Sequence, residues 1–251
     1  MKYYYINLDR SIDRKKDMED QFIKYNIPAE RIQAVDGSKL LVDLKYKRII
    51  SIITGIDEIY MSEEWLTNRS NFKTLSKSID FILPRFALYL STIISLLTSI
   101  EEGQNSLVLF EDDAVILQEL EIPYIEDADI IYLGGTFSGG AETSDPIIKV
   151  KNPDLKVYGT YGYYIPNCKK ILKILMSPFQ VGYSKDKHPE WRTGAVKLRC
   201  QAIDLFYMNH LQKNGNCYIV NPSQITHPKN NKSTINKKIM NYVKLGLRFM
   251  F

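Results

Sequence analysis

Short apolar runs punctuate the chain, separated by stretches in which apolar residues recur every three or four positions. This alternation predicts strands interleaved with helices. Tyr3 to Leu8 is the first run. Behind it, Met18, Phe22 and Tyr25 align on one face of a helix predicted over residues 9–25, which Asn26 and Pro28 stop. Arg31 to Val35 follows as a second strand ending at Asp36-Gly37. The opening is a βαβ unit. Its strand ends, Leu8-Asp9-Arg10 and Asp36-Gly37, are expected side by side on the edge where open α/β sheets bind ligands.

Residues 38–82 lack clean periodicity and read as an insertion, a lid or an acceptor region. Pro84 then suits a first helical turn, and Phe86, Leu90, Ser91, Ile94 and Leu97 trace a helical face that ends at Gly103. Ser106 to Phe110, Asp129 to Leu133, Val157 to Ile165 and Cys217 to Val220 read as further strands, the second stopping at Gly134-Gly135. Helices are predicted over 167–176 and 200–214, with a polar loop over 177–199 between them. The pattern spells an α/β fold over residues 1–235. Residues 236–251 form a tail mixing Lys237, Lys238, Lys244 and Arg248 with Ile239, Met240, Val243, Leu247 and Phe251 at helical spacing. Such a basic amphipathic tail suits peripheral contact with an anionic membrane, and equally docking on the domain's own core.

At 251 residues one such domain buries a sizeable core. The net charge of +4 is spread too evenly for a nucleic-acid groove, so no nucleic-acid partner is expected, although it suits anionic substrates. Cys168, Cys200 and Cys217 show no paired spacing, which fits a reducing compartment and argues against a cysteine zinc site. The first ten residues carry no hydrophobic signal region and no later run is long enough to span a membrane. A cytoplasmic protein, able to rest on a membrane surface, is the expectation.

The chemistry concentrates at Glu111-Asp112-Asp113, where a buried strand delivers three carboxylates into a turn. Adjacent carboxylates raise one another's pKa, so a divalent cation held by oxygen ligands is their natural occupant; a solvated acidic turn is the bland alternative. Glu111 and Asp113, two apart on an extended turn, are the metal-ligand candidates. Asp112 is left to reach a ribose or a metal-bound water. Arg10 and Arg14, four apart at the start of the first helix, can face a phosphate beside the first strand end, or stand as solvated surface arginines. Asp204 shares a helical stripe with Cys200, Tyr207, Met208 and Leu211, which turns a carboxylate toward the apolar side. It is a candidate general base, or a structural Asp paired with an arginine or capping a backbone N–H.

These segments, in this order, resemble glycosyltransferase family 25, the group of lipooligosaccharide galactosyltransferases and collagen galactosyltransferase domains. Ile6-Asn7-Leu8-Asp9-Arg10 with Asp13-Arg14 looks like its opening motif, Ile32 to Gly37 like its second and Leu109 to Ala114 like its metal motif. Asp129 to Gly134, Gly159-Thr160 through Tyr164-Ile165, Ala202-Ile203-Asp204, Pro222 with Gln224, and Ser233 with Ile235 continue the series. One departure stands out. Members usually carry Gly-Glu and Ser-His on the helix before the metal strand, where this chain has Pro84-Arg85 and Ser91-Thr92. Acceptor recognition is therefore not carried over.

The resemblance implies a GT-A-like, Rossmann-like α/β fold with a mixed, mostly parallel sheet flanked by helices. It implies a nucleotide-sugar donor, a UDP-sugar by preference, a glycan acceptor, manganese or magnesium, and anomer-inverting transfer. Asn7, Leu8, Arg10, Arg14, Asp36, Gly37, Asp112, Gly159 and Thr160 are then expected on the donor, Asp204 as the base, and His227 as a further metal ligand or an ordinary surface histidine. Gly159 and Thr160 either let the backbone approach the sugar or mark a strand bulge. A nucleotidyl- or phosphoryl-transferase is the rival reading, though no phosphate-cradling glycine loop appears. A non-catalytic nucleotide- or glycan-binding module is another.

Overall fold

A computed structural model describes residues 1–40, 75–139, 144–180 and 203–227 of the chain. Most of the expected insertion, most of the 177–199 loop, Cys200 and the whole basic tail lie outside the described residues.

The strands are β1 (Lys2–Asn7), β2 (Ala29–Gln33), β3 (Leu107–Glu111), β4 (Val115–Ile116), β5 (Ile130–Gly139), β6 (Ile147–Val150), β7 (Leu155–Ile165), β8 (Cys217–Val220) and β9 (Ile225–Thr226). The helices are α1 (Ile12–Lys24), α2 (Leu75–Glu101), α3 (Cys168–Gln180) and α4 (Ile203–Asn214). Seven strands form one sheet in the order β2-β1-β3-β7-β5-β8-β6, and β4 pairs with β9 apart from it. The sheet is flanked by helices, a mixed α/β architecture as the sequence pattern predicts.

Alternation along the strands sorts the core into two faces. Tyr4, Ile6, Leu107, Leu109, Ile130 and Tyr132 pack on one side with Leu90, Ile93 and Leu96 of α2, Ile171 of α3 and Phe206, Tyr207 and Leu211 of α4. Tyr5, Val108, Phe110, Ile131 and Leu133 face the other way, onto Met18 and Phe22 of α1 and onto Ile116 and Ile225. Because β3 is apolar from Leu107 to Phe110, it is buried on both faces up to its last residue, Glu111.

The sheet is mixed, with most strands running one way: β1 pairs in parallel with β2 and β3, as does β5 with β8, while β7 is antiparallel to β3 and β5, and β6 to β8, so that only β6 and β7 run against the other five. The links from β5 through β6 to β7 are too short for a parallel crossover, which needs roughly a dozen residues or more. Three expectations need correction. Pro84 lies inside α2, which begins at Leu75, rather than in its first turn. An interior proline costs about 3 kcal/mol, and the packing of Phe86, Leu90, Ile93 and Leu96 outweighs it. The helix is also rotated: Ile93 and Leu96 are fully buried, whereas Ile94 and Leu97 are only partly so. Finally, β5 continues through Gly134-Gly135, because β7 pairs with it along the whole length and only the register shifts there.

Those glycines have a packing role. A Cβ on Gly134 would collide with the Ile225 carbonyl, and one on Gly162 with the Ile225 side chain. Bare backbone at both positions lets β9 lie directly on β5 and β7. Gly134→Ala is therefore expected to lower stability by about 1–3 kcal/mol, read as a fall in urea midpoint at unchanged slope. A midpoint equal to that of the parent protein would show that β9 does not press on this strand.

Candidate active site

The carboxylate triplet stands where β3 ends, and the neighbouring strands bring its partners. Ile6 of β1 pairs with Glu111, so Asn7 lies level with Asp112. On the other side Gly162 of β7 pairs with Phe110, and because β7 runs the opposite way, Tyr161, Thr160 and Gly159 pass alongside the triplet. Thr160 donates its hydroxyl proton to Glu111 Oε1. Asn7 Nδ2 donates to Asp112 Oδ2 at 2.8 Å. From the first turn of α1, Arg14 reaches Asp112 Oδ1 at 2.7 Å and Asp113 Oδ2 at 3.3 Å.

His227 arrives from the far end of the chain. Gln224 donates its backbone N–H to the Leu133 carbonyl at 2.8 Å, and its side chain bonds both backbone groups of Glu121, which pins the segment leading into β9. His227 Nε2 then lies 3.2 Å from Asp113 Oδ2, with its ring 5.0 Å from that of Tyr161. It is not an isolated surface histidine.

Beside the triplet the β1 and β2 ends meet as expected. Arg10 pairs with Asp36, whose Oδ1 also accepts the Ser38 N–H at 2.9 Å and caps the short 3-10 turn Gly37–Lys39. Leu8 packs on the core and its carbonyl accepts the Ser11 N–H. Thus both arginines are engaged with carboxylates, Arg14 largely withdrawn from solvent and Arg10 still half-exposed. Ser91 has a structural task, accepting the Val35 N–H at 2.9 Å and donating to the Ala87 carbonyl at 2.7 Å, which ties α2 to the segment after β2.

Asp204 sits in the first turn of α4, with Leu205 N–H donating to Oδ1 at 2.8 Å and Gly159 N–H lying 3.4 Å from Oδ2. Its charge is felt by both Glu111 and Arg85. Gly159 has φ of +80°, and the Tyr161 ring occupies the space a Cβ would need.

A family model described as Glycosyltransferase family 25 (LPS biosynthesis protein) matches residues 1–129, just over half of the chain. The chain belongs to this family. It is accordingly a glycosyltransferase, an enzyme that takes a sugar donor and an acceptor. The family 25 match covers β1 to β4 and the carboxylate triplet; Thr160, Asp204 and His227 lie beyond it. No curated protein sequence matches the chain. A nucleoside-diphosphate-sugar pyrophosphorylase from Vibrio cholerae RC9 aligns with a TM-score of 0.35 and 12% identity, covering 90% of this chain and 76% of that one. A likeness at that level carries no argument. Among the described residues no helix is long and apolar enough to cross a membrane.

The electrostatics of the candidate site follow from burial. Burial first, then the Asp113 charge, push the Glu111 carboxyl from 4.5 up to about 8, against the Thr160 hydrogen bond. Burial likewise raises Asp112, with Arg14 and Asn7 opposing it. Burial would raise Asp36 too, but the Arg10 and Ser38 hydrogen bonds prevail and hold it below the ordinary carboxylate value. Among the described residues no three His, Cys, Asp or Glu side chains form a ready-made metal cage. Asp113 Oδ1 is nevertheless buried without a hydrogen-bond partner. An orphaned carboxylate oxygen among other anionic oxygens, with a histidine nitrogen on the second oxygen, is a donor set that fits a hard divalent cation.

Arg31 carried no expected role, and it bonds both Asn7 and Asp9 at the β1 end. Thr160 was expected through its backbone, and its hydroxyl makes the contact with Glu111.

The raised Glu111 pKa has a definite sign. Its contribution to stability is fully present below the unfolded value of 4.5 and is lost as pH rises toward about 8. In chelator-treated buffer, Glu111→Gln is therefore expected to flatten the decline in melting temperature between pH 5 and pH 8, gaining on the parent protein at the alkaline end. Parallel pH profiles for the two proteins would refute the assignment of that proton.

Proposed function

We propose that the enzyme is a divalent-cation-dependent, inverting hexosyltransferase that moves a sugar from a UDP-sugar to a glycan of a surface polysaccharide, lipooligosaccharide or glycoprotein. The observation that carries the reading is the partly buried triplet, with its buried and orphaned Asp113 oxygen, at the ends of β1 and β3. A sugar nucleotide leaves behind a diphosphate, and its developing charge needs a fixed counter-charge at such an edge. Glu111, Asp113 and His227 are the residues that would hold manganese or magnesium, which when bound neutralises the diphosphate.

The protein's own groups supply the rest. Arg10 and Arg14 bring positive charge to the same edge and can turn from Asp36 and Asp112 toward phosphate oxygens. Leu8, Asp36 and Gly37 flank the nucleoside side, and Asp112 faces the ribose. Gly159 gives close backbone access to the sugar, beside Thr160. Asp204, across Gly159 from the triplet, accepts the proton of the acceptor hydroxyl as that oxygen attacks the anomeric carbon and UDP departs on the opposite face.

Titration calorimetry of UDP with and without manganese tests the donor reading. Asp113→Asn is expected to abolish manganese-dependent UDP affinity and transfer while the protein stays folded; retention of both would sink the cation assignment. Asp204→Asn is expected to lower transfer on the order of a hundredfold with UDP affinity unchanged. If Asp204 only caps α4 and balances Arg85, the variant instead loses melting temperature and donor affinity together.

A further inference from the structure

We infer that Arg31 is a positioning residue of the donor site: it fixes the Asn7 carboxamide in the one orientation that presents its NH2 group to Asp112. The inference deepens the proposed donor reading and rests on it for its functional consequence.

Asn7 ends β1 with only 1% of its surface exposed, so its amide must find partners inside the protein. Arg31, on the neighbouring strand β2, donates from Nε to Asn7 Oδ1 at 3.0 Å and from Nη2 to the Asn7 carbonyl at 3.0 Å. The same Nη2 also donates to Asp9 Oδ1 at 2.6 Å, and Gln33 Nε2 donates to the other oxygen of Asp9. On the opposite side of the amide, Nδ2 donates to Asp112 Oδ2 at 2.8 Å and to the Ser11 carbonyl at 3.1 Å.

Donor and acceptor inventories leave one solution. A guanidinium only donates, so the atom facing it must be the amide oxygen; an ionised carboxylate only accepts, so the atom facing it must be the amide nitrogen. Reversing the amide would set oxygen against oxygen at Asp112 and N–H against N–H at Arg31. Arg31 thus acts on Asp112 through Asn7, without touching it. A lysine could not reproduce this, because one ammonium cannot serve Oδ1, the carbonyl and Asp9 in the guanidinium's fixed planar geometry. With Arg31 absent, Asp112 and the Ser11 carbonyl still favour the same orientation, but Asn7 Oδ1 loses its donor and the amide is held from one side only, which weakens the neutral donor that Asp112 has beside Arg14. The cost falls on the cation and donor affinity of the edge, not on the acceptor side.

Two measurements on the full chain decide it. In 15N-labelled protein, the Asn7 side-chain NH2 pair, assigned by its loss in Asn7→Ser, is expected to exchange slowly with solvent. Arg31→Met should speed that exchange sharply, with Arg31→Lys between the two. Manganese-dependent UDP affinity should weaken on the order of tenfold in Arg31→Met, the size expected when a donor-contacting carboxylate loses one well-held hydrogen bond. Arg31→Lys is expected to fold even where Arg31→Met is impaired. Persistence of the protected Asn7 pair in both variants overturns the inference, as does unchanged UDP affinity once the pair is lost. Failure of the parent protein to bind UDP with manganese overturns the donor reading instead, and the exchange measurement still decides whether Arg31 sets the amide.

Discussion

Three consecutive carboxylates cannot share a buried strand end without counter-charge and hydrogen-bond donors, and much of the topology answers that demand. The donors arrive from separate parts of the chain: Asn7 from β1, Arg14 from α1, Thr160 from β7 and His227 from beyond β9. Strand order makes this feasible. With β1 on one side of β3 and β7 on the other, both neighbours run past the last residue of β3. Had β7 been parallel to β3, its Gly159–Tyr161 segment would lie at the opposite end of the strand. The antiparallel pairing that departs from a simple doubly wound sheet is thus what brings Thr160 to Glu111.

Rigidity around the site comes from buried polar groups with full sets of partners. Gln212, 1% exposed, bonds the backbone N–H and carbonyl of Val157 and the Tyr132 hydroxyl, locking α4 to β7 and β5. Asn152 adds a bond to the Met208 carbonyl. Asp204 is consequently held beside Gly159 by the placement of its helix and not by its own contacts alone. On the other face, glycines at 134 and 162 admit Ile225 against the sheet, and this close approach sets how near His227 comes to Asp113. Any side chain there would push the histidine away.

Much of this was legible in the sequence, and the reasons are local. β1, α1, β2, β3 and α4 announce themselves through periodicity, and the triplet through its position after an apolar run. The two-residue strands β4 and β9 carry too few positions for a period to emerge. The start of α2 was hidden by Pro84, which ordinarily opens a helix, and its buried face was misread by one position along the helix. The partners of Asp112 and Glu111 are separated from them by about a hundred and by 49 residues respectively, so no local pattern contains them.

The sequence by itself determined the α/β class, the carboxylates at a strand end and the family to which they belong, because binary patterning and ordered short motifs are properties of neighbouring residues. Tertiary structure alone decided which groups those carboxylates meet: that Arg10 and Arg14 are paired with Asp36 and Asp112, that Arg31 bonds the Asn7 amide whose other end faces Asp112, and that one oxygen of Asp113 has no partner. The physical reason is that charge and hydrogen-bond complementarity act across space. They are fixed by strand order, strand direction and the close approach of bare backbone, none of which is written into the identity of a single residue.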